Sequence, residues 1–267
     1  MNLEAARTEL EALATRVAPG EGRIALELDG DVAWLRLDNP KAHNALTIRM
    51  MAELGAAVAR LAEWTGACLV LAPSTEGTFC SGGHLDQVQQ ALIAPDQGHR
   101  MARAMGVVLD ALLDLPVVSV AAVDGPAIGG GAELTTACDL RVIRWGARVH
   151  FVHARLGVAP GWGGTGRLVR LLGRRTALRL LAEARPVQAE EAVALGLADA
   201  ACEGPAAEGA LELLAPIRAL PVAAVRAVKG QVSASDDREA QAARFAEVWG
   251  GPDHRAALRA LGRRSSG

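Results

Sequence analysis

The chain has 267 residues, with 28 Lys+Arg against 30 Asp+Glu for a formal net charge of −2, and 51% of its residues are hydrophobic. That balance excludes a polybasic nucleic-acid arm and a disordered chain, and the length excludes a small disulfide-stapled scaffold in favour of one large domain, with or without a smaller appendage. Aromatic residues make up only 3% and Tyr is absent, so the core must be built from Ala, Val and Leu around 29 glycines.

The opening segment Met1–Gly20 lacks the continuous apolar stretch of a secretory leader, and Glu4, Glu9 and Glu11 do not suit an organellar transit peptide. Arg23–Leu28 and Val32–Leu37 flank Asp29-Gly30-Asp31 and predict an early hairpin. Thr47–Trp64 repeats apolar residues at helical spacing behind a Thr47 cap, and Ala67–Ala72 is a short apolar run expected as a strand buried on both faces. A helix around His99–Leu113 follows, then a β-branched strand Val117–Val123, which is stopped at Asp124. The apolar stretch from Leu115 is thus well short of the ~20 residues a membrane span needs.

The glycine loop Gly125–Gly131 leads into a helix Ala132–Cys138 and short strands Leu140–Ile143 and Val149–Val152. Beyond Pro160 the chain reads helical: Thr165–Leu172, Arg174–Leu181, Ala189–Leu195 stopped by Gly196, Glu208–Leu214, Ala223–Val232, Asp237–Trp249 and a last piece after Pro252. Strands and helices alternate in the first half, which predicts an α/β fold with helices gathered at the end. Cys68, Cys80, Cys138 and Cys202 form no C-x-x-C pair and no cluster with His at zinc-like spacing, so neither a metal nor a disulfide framework is expected, and a reducing cytoplasm fits best.

Three loops concentrate the chemistry. In Gly129-Gly130-Gly131-Ala132-Glu133, glycines at a strand-to-helix turn leave backbone N–H groups open to an anion or oxyanion, beside a first-turn carboxylate. That carboxylate is either an acid–base group or an ordinary partner of the helix dipole. No Lys-Ser or Lys-Thr follows the glycines, which excludes a P-loop. Phe79-Cys80-Ser81-Gly82-Gly83-His84 is a second glycine loop, so two turns are available to present two donors to one oxygen. Gly161, Gly163 and Gly166 match G-x-G-x-x-G, but a Pro-broken loop precedes them and no dinucleotide unit closes behind them. His153 lies just before that loop, as a buried hydrogen-bonded imidazole or as a ring facing a cleft.

Taken together, Phe79-Cys80-Ser81-Gly82-Gly83, Gly129-Gly130-Gly131-Ala132-Glu133 and Pro160-Gly161-Trp162-Gly163-Gly164-Thr165 resemble the crotonase (enoyl-CoA hydratase/isomerase) superfamily over nearly the whole chain. The resemblance implies a spiral of ββα units over residues 1–200, a helical C-terminal region over residues 201–267 that makes a homotrimer or a hexamer built as a dimer of trimers, and acyl-CoA substrates. No dissociable redox cofactor is implied, coenzyme A being part of the substrate, and neither a nucleic acid nor a membrane partner is expected. Carried over by motif, the oxyanion hole looks like the N–H groups of Ser81 and Gly130, and Glu133 matches one hydratase carboxylate. The segment holding Lys41, Ala42 and His43 resembles the part that lines the CoA groove.

The second hydratase carboxylate falls, counting back from Pro160, on His153, and the acidic residue often found after the first loop's glycines is here His84. Replacing one carboxylate by an imidazole removes the pair that positions water. With Val248-Trp249-Gly250-Gly251-Pro252, the pattern looks most like the ethylmalonyl-CoA decarboxylase branch, which implies a lyase that decarboxylates an ethylmalonyl-CoA or methylmalonyl-CoA type thioester. Glu133 or His153 would deliver the proton, or His153 would hold the substrate carboxylate. Trp162 and Trp249 are candidate pocket walls. The alternatives are an enoyl-CoA hydratase/isomerase and a non-catalytic acyl-CoA-binding scaffold.

Overall fold

In the computed structural model, which describes residues 1–18 and 20–264, a helix α1 (Leu3–Ala14) precedes the expected hairpin. Its Asn2 cap accepts from the Ala5 N–H, and Ala6, Leu10 and Leu13 are buried along one side. The hairpin pairs β1 (Arg23–Asp29) antiparallel with β2 (Val32–Asp38), turning at Gly30. Thr47 caps α2 (Ile48–Glu63) by accepting from the Met50 N–H. Then come β3 (Cys68–Pro73), the single turn α3 (Leu85–Gln87) continued by a π-helical turn at Val88–Leu92, α4 (Pro95–Leu113) and β4 (Val118–Val123).

β5 (Ala127–Ile128) leads into α5 (Gly130–Thr135), β6 (Leu140–Arg144) and β7 (Arg148–His150). The helical half contains α6 (Gly164–Glu183), interrupted at Gly173, β8 (Val187–Gln188), α7 (Ala189–Leu195), β9 (Ala200–Cys202), α8 (Ala206–Arg218), α9 (Val222–Ser233), α10 (Arg238–Val248) and α11 (Pro252–Arg264).

The main sheet has the order β1-β2-β3-β4-β6-β9, parallel from β2 onward. Its central strands alternate between two cores, because successive side chains leave opposite faces. Leu69, Leu71 and Ala121 join α1, α2 and α4 on one face, while Cys68, Val70 and Val120 join α8 on the other. Burial on both faces explains the unbroken apolar runs of β3 and β4. β9 crosses the 200/201 boundary read from the sequence, and α8 covers the sheet with α9 beside it, so these first C-terminal helices are built onto the core. Lys229 of α9 reinforces this: its ammonium is buried, donates to Leu113 O at 2.7 Å and pairs with Asp139, which also accepts from the Ser119 N–H and hydroxyl.

A second, smaller sheet, β5-β7-β8, carries the glycine loops. Isolated parallel bridges Cys80–Ala127 and Leu46–Gly83 tie the first loop to β5 and to the chain before α2. Among the described residues no helix is long and apolar enough to cross a membrane.

Candidate active site

The first loop is seated chiefly by main-chain bonds. Leu46 N–H donates to Gly82 O at 2.7 Å and His84 N–H donates to Leu46 O at 2.9 Å. In that pattern the intervening residue turns its own amide to the opposite side, so the Gly83 N–H faces away from Leu46 and has no partner among the described residues. Ser81 is placed differently from the expectation: its N–H donates to His43 O at 3.0 Å and its hydroxyl to Ala42 O at 3.3 Å. The amide open to a ligand on this loop is therefore that of Gly83, and Ser81 instead fastens the Lys41-Ala42-His43 segment to the loop.

That segment is itself held by two buried asparagines. Asn44 accepts from the Asn39 N–H and donates to Thr78 O, while Asn39 donates to Ala45 O. Lys41 stands exposed and pairs with Glu21 at 2.9 Å.

The second loop turns at Gly129, whose φ of 56° and ψ of −120° exclude a side chain, and whose N–H donates to His150 O at 2.9 Å. α5 begins at the next residue, two positions earlier than the apolar pattern suggested, so the Gly130 amide is a first-turn N–H without an intrahelical partner. The two loops touch: a Cβ on Gly82 would lie 3.2 Å from Gly130 N. Trp162 closes over both, with ring carbons 2.4 Å from where a Gly130 Cβ would be and 3.8 Å from where a Gly83 Cβ would be. Its Nε1 lies 3.0 Å from Met101 Sδ and the residue is buried.

Glu133 is 1% exposed, and four donors converge on its two oxygens. Oε1 accepts from Trp162 N–H at 2.8 Å and Gly164 N–H at 3.0 Å; Oε2 accepts from Gly161 N–H at 3.3 Å and lies 3.0 Å from His153 Nε2. The carboxylate thus caps the N-terminus of α6 and orients the imidazole at once.

His153 sits in a 3-10 turn, Val152–Leu156, where a continuing strand to Val152 was expected; the strand ends at His150. The Nε2 edge of the ring lies 4.0 Å from where a Gly129 Cβ would be, the residue is nearly buried, and its Nδ1 is buried without a partner among the described residues. His150 Nε2 and Arg155 Nε both bond Ala184 O, at 2.8 and 2.6 Å, pinning both flanks of the turn to the end of α6. His84 adjoins Gly83, and its Nδ1 is likewise buried and unpartnered.

Arg167 escaped the sequence reading. It is buried, bonds Thr136 Oγ1 at 3.1 Å, Asp110 at 2.6 Å and Trp162 O, and so locks the Trp162 loop against α4 and α5. Burial pushes its guanidinium below the ordinary arginine range, against the opposing pull of Asp110. Its signal was an arginine in the first turn of a helix that starts directly after Gly163.

Trp249 is not a wall of this site: it is exposed on the turn between α10 and α11, stacked with Phe245 and His254 at centroid distances of 4.9 and 4.5 Å. Cys80 donates its thiol to Asn44 O at 3.1 Å, and burial pushes its pKa up to about 12, so it is an inert packing group. Among the described residues no group of three or more His, Cys, Asp or Glu is placed to hold a metal ion.

Residues 27–249 match the enoyl-CoA hydratase/isomerase family. The ethylmalonyl-CoA decarboxylase of Gallus gallus is 38% identical over 257 residues, covering 92% of this chain and 85% of the relative. That of Danio rerio is 39% identical over 242 residues, covering 86% and 80%. The crystal structure of an enoyl-CoA hydratase from Bacillus anthracis superposes with a TM-score of 0.82 at 25% identity, covering 91% of this chain and 96% of that one. The loops, their glycines and the spiral of strands and helices have one common origin: this chain belongs to the enoyl-CoA hydratase/isomerase family.

Proposed function

We propose that the protein is a lyase that removes CO₂ from a 2-carboxyacyl-CoA of the ethylmalonyl-CoA or methylmalonyl-CoA type. The observation that carries this reading is the saturation of Glu133: both oxygens are occupied by backbone N–H groups and His153, and the second carboxylate of a hydratase is absent. Hydration needs a base and an acid to position water, whereas loss of CO₂ needs neither. It requires a thioester carbonyl held so that the breaking C–C bond stands out of its plane, and donors that become stronger partners as the enolate forms.

The Gly83 and Gly130 amides are the two donors, each contributing about 3–4 kcal/mol to the barrier reduction. The electron pair of the bond between C2 and its carboxylate carbon flows into the thioester carbonyl, CO₂ departs, and a proton must then reach C2. Trp162 and His84 bound the acyl end, while Lys41, Ala42 and His43 line the approach of the CoA moiety. The chemistry calls on no cofactor beyond that moiety.

Val228, Val232, Phe245, Trp249 and Leu258 leave apolar surface exposed on α9 to α11, which supports assembly into a homotrimer or a dimer of trimers. The four free cysteines suit a reducing compartment, the cytoplasm.

Mass spectrometry of the acyl-CoA products tests the reading. Ethylmalonyl-CoA converting to butyryl-CoA supports it; crotonyl-CoA gaining water while the malonyl-type thioesters persist replaces it with hydration. Calorimetric CoA binding with no product from either class would make the protein a scaffold.

A further inference from the structure

We infer that His153 is the group that protonates C2, through Nδ1, and that Glu133 is a positioning residue that does not touch substrate. The inference rests on the decarboxylase reading and divides the roles that the sequence left shared between the two residues.

The division follows from atom counts. Glu133 Oε1 is bound by two backbone amides and Oε2 by one amide and the imidazole, so neither oxygen is left to meet a substrate. His153 has the opposite balance: Nε2 is engaged, and Nδ1, across the ring, is buried with nothing to bond. A buried polar nitrogen without a partner is costly, and such an atom beside a candidate site is accounted for by a ligand that supplies the missing contact. The Nε2 edge of the ring lies 4.0 Å from where a Gly129 Cβ would be, one residue before the Gly130 amide that receives the carbonyl oxygen; Nδ1 is on the same small ring, and C2 is one bond from that carbonyl carbon.

The same pair explains why the ring delivers a proton and does not clamp the substrate carboxylate. An imidazolium 3.0 Å from a carboxylate forms a pair of no net charge, so its pull on a further anion is largely cancelled, while its Nδ1–H remains transferable. In each turnover the carboxylate leaves as CO₂, the enolate takes the Nδ1 proton to form the C2–H bond, and the ring regains one proton from solvent. Net consumption is one proton per CO₂.

Turnover of ethylmalonyl-CoA in D₂O, with enzyme in excess and the configuration at C2 of the [2-D]butyryl-CoA as readout, tests the assignment. The wild type is expected to give one configuration, and His153→Gln an equal mixture with CO₂ still released, because solvent then protonates the enolate from both faces. Glu133→Gln is expected to lose stereochemical purity and to lower kcat more than it raises KM, as the ring loses its anchor. A second measurement needs no turnover: ¹⁵N-histidine NMR of the wild type is expected to show one buried ring protonated at both nitrogens, and Glu133→Gln to shift it to a neutral tautomer mixture, whereas a wild-type ring bare at Nδ1 overturns the assignment.

A single configuration from His153→Gln overturns the assignment, as does scrambling by His84→Gln in its place. An undisturbed configuration in Glu133→Gln reduces that residue to the cap of α6. No CO₂ from the wild type is a different failure, since it removes the decarboxylase reading itself.

Discussion

The indole of Trp162 occupies the space in which a side chain on Gly130 would begin, 2.4 Å from the ring carbon Cζ3. An amide donor and the wall that shields it are therefore one packing unit. Gly130→Ala must push the indole or the amide aside, and turnover is expected to fall by about 10²–10³-fold. Trp162→Leu in the same chain clears the space, so the double variant is expected to recover part of that loss. Additive rates in the double-mutant cycle would show that the two residues do not share the site.

Gly83→Pro removes an N–H that bonds nothing among the described residues. The expected result is a small change in Tm and a turnover loss of about 10²-fold or more, read by CO₂ release and thermal unfolding together. Ser81→Ala keeps its N–H on His43 O and is expected to lose at most severalfold. Wild-type turnover in Gly83→Pro would move the oxyanion donor elsewhere.

Lys229 is buried against Asp139 and Leu113 O and joins α9 to the end of α4 and to the residue before β6. Lys229→Met is expected to cost about 2–3 kcal/mol in urea unfolding, less than the ~3–5 kcal/mol for breaking a wholly buried pair, because Asp139 keeps its Ser119 donors and some solvent. An unchanged midpoint would mean that the pair contributes nothing net.

Burial pushes Cys68 up to about 11 and Cys80 and Cys138 up to about 12, and also raises Cys202. An unfolded thiol titrates near ~8.5, so the folded chain holds protons that the unfolded chain releases. The stability these groups contribute is complete below about pH 8.5 and is lost as pH climbs toward the folded values. At pH 8 a thiol reagent is expected to label the half-buried Cys202 first in the native protein and the other three only on unfolding. Rapid native labelling of Cys80 would contradict its seat against Asn44.

Periodicity located the hairpin, α2 and β3 because each lies wholly on one pattern, and the Thr47 cap and the Gly196 stop fell where the side chains demand them. The helix α1 is absent from the predicted elements, although Ala6, Leu10 and Leu13 have helical spacing. β5, β8 and β9 have two or three residues each, too few to show an alternation.

The glycine loops, Glu133 and His153 were legible as a group. Which amide of the first loop is open was not, because that depends on the bridge of Gly83 to Leu46, a partner 37 positions before it in the chain, and on the bond of Ser81 to His43 O. The Asn39–Asn44 pair was hidden because its partners are largely backbone atoms, which leave no residue-type signal, and Arg167 because its side-chain partners Thr136 and Asp110 lie 31 and 57 positions away in the chain.

The amide-bearing turns hang from main-chain bonds: Leu46 to Gly82 and His84, Ser81 to His43, Ile128 to Cys80 and Gly129 to His150. Such a frame is indifferent to most of the side chains mounted on it. Exchanging the residues around the mouth can therefore retune what enters the site while the two turns and their amides stay in place. New chemistries on this scaffold arise by refurnishing a room whose walls need not be moved.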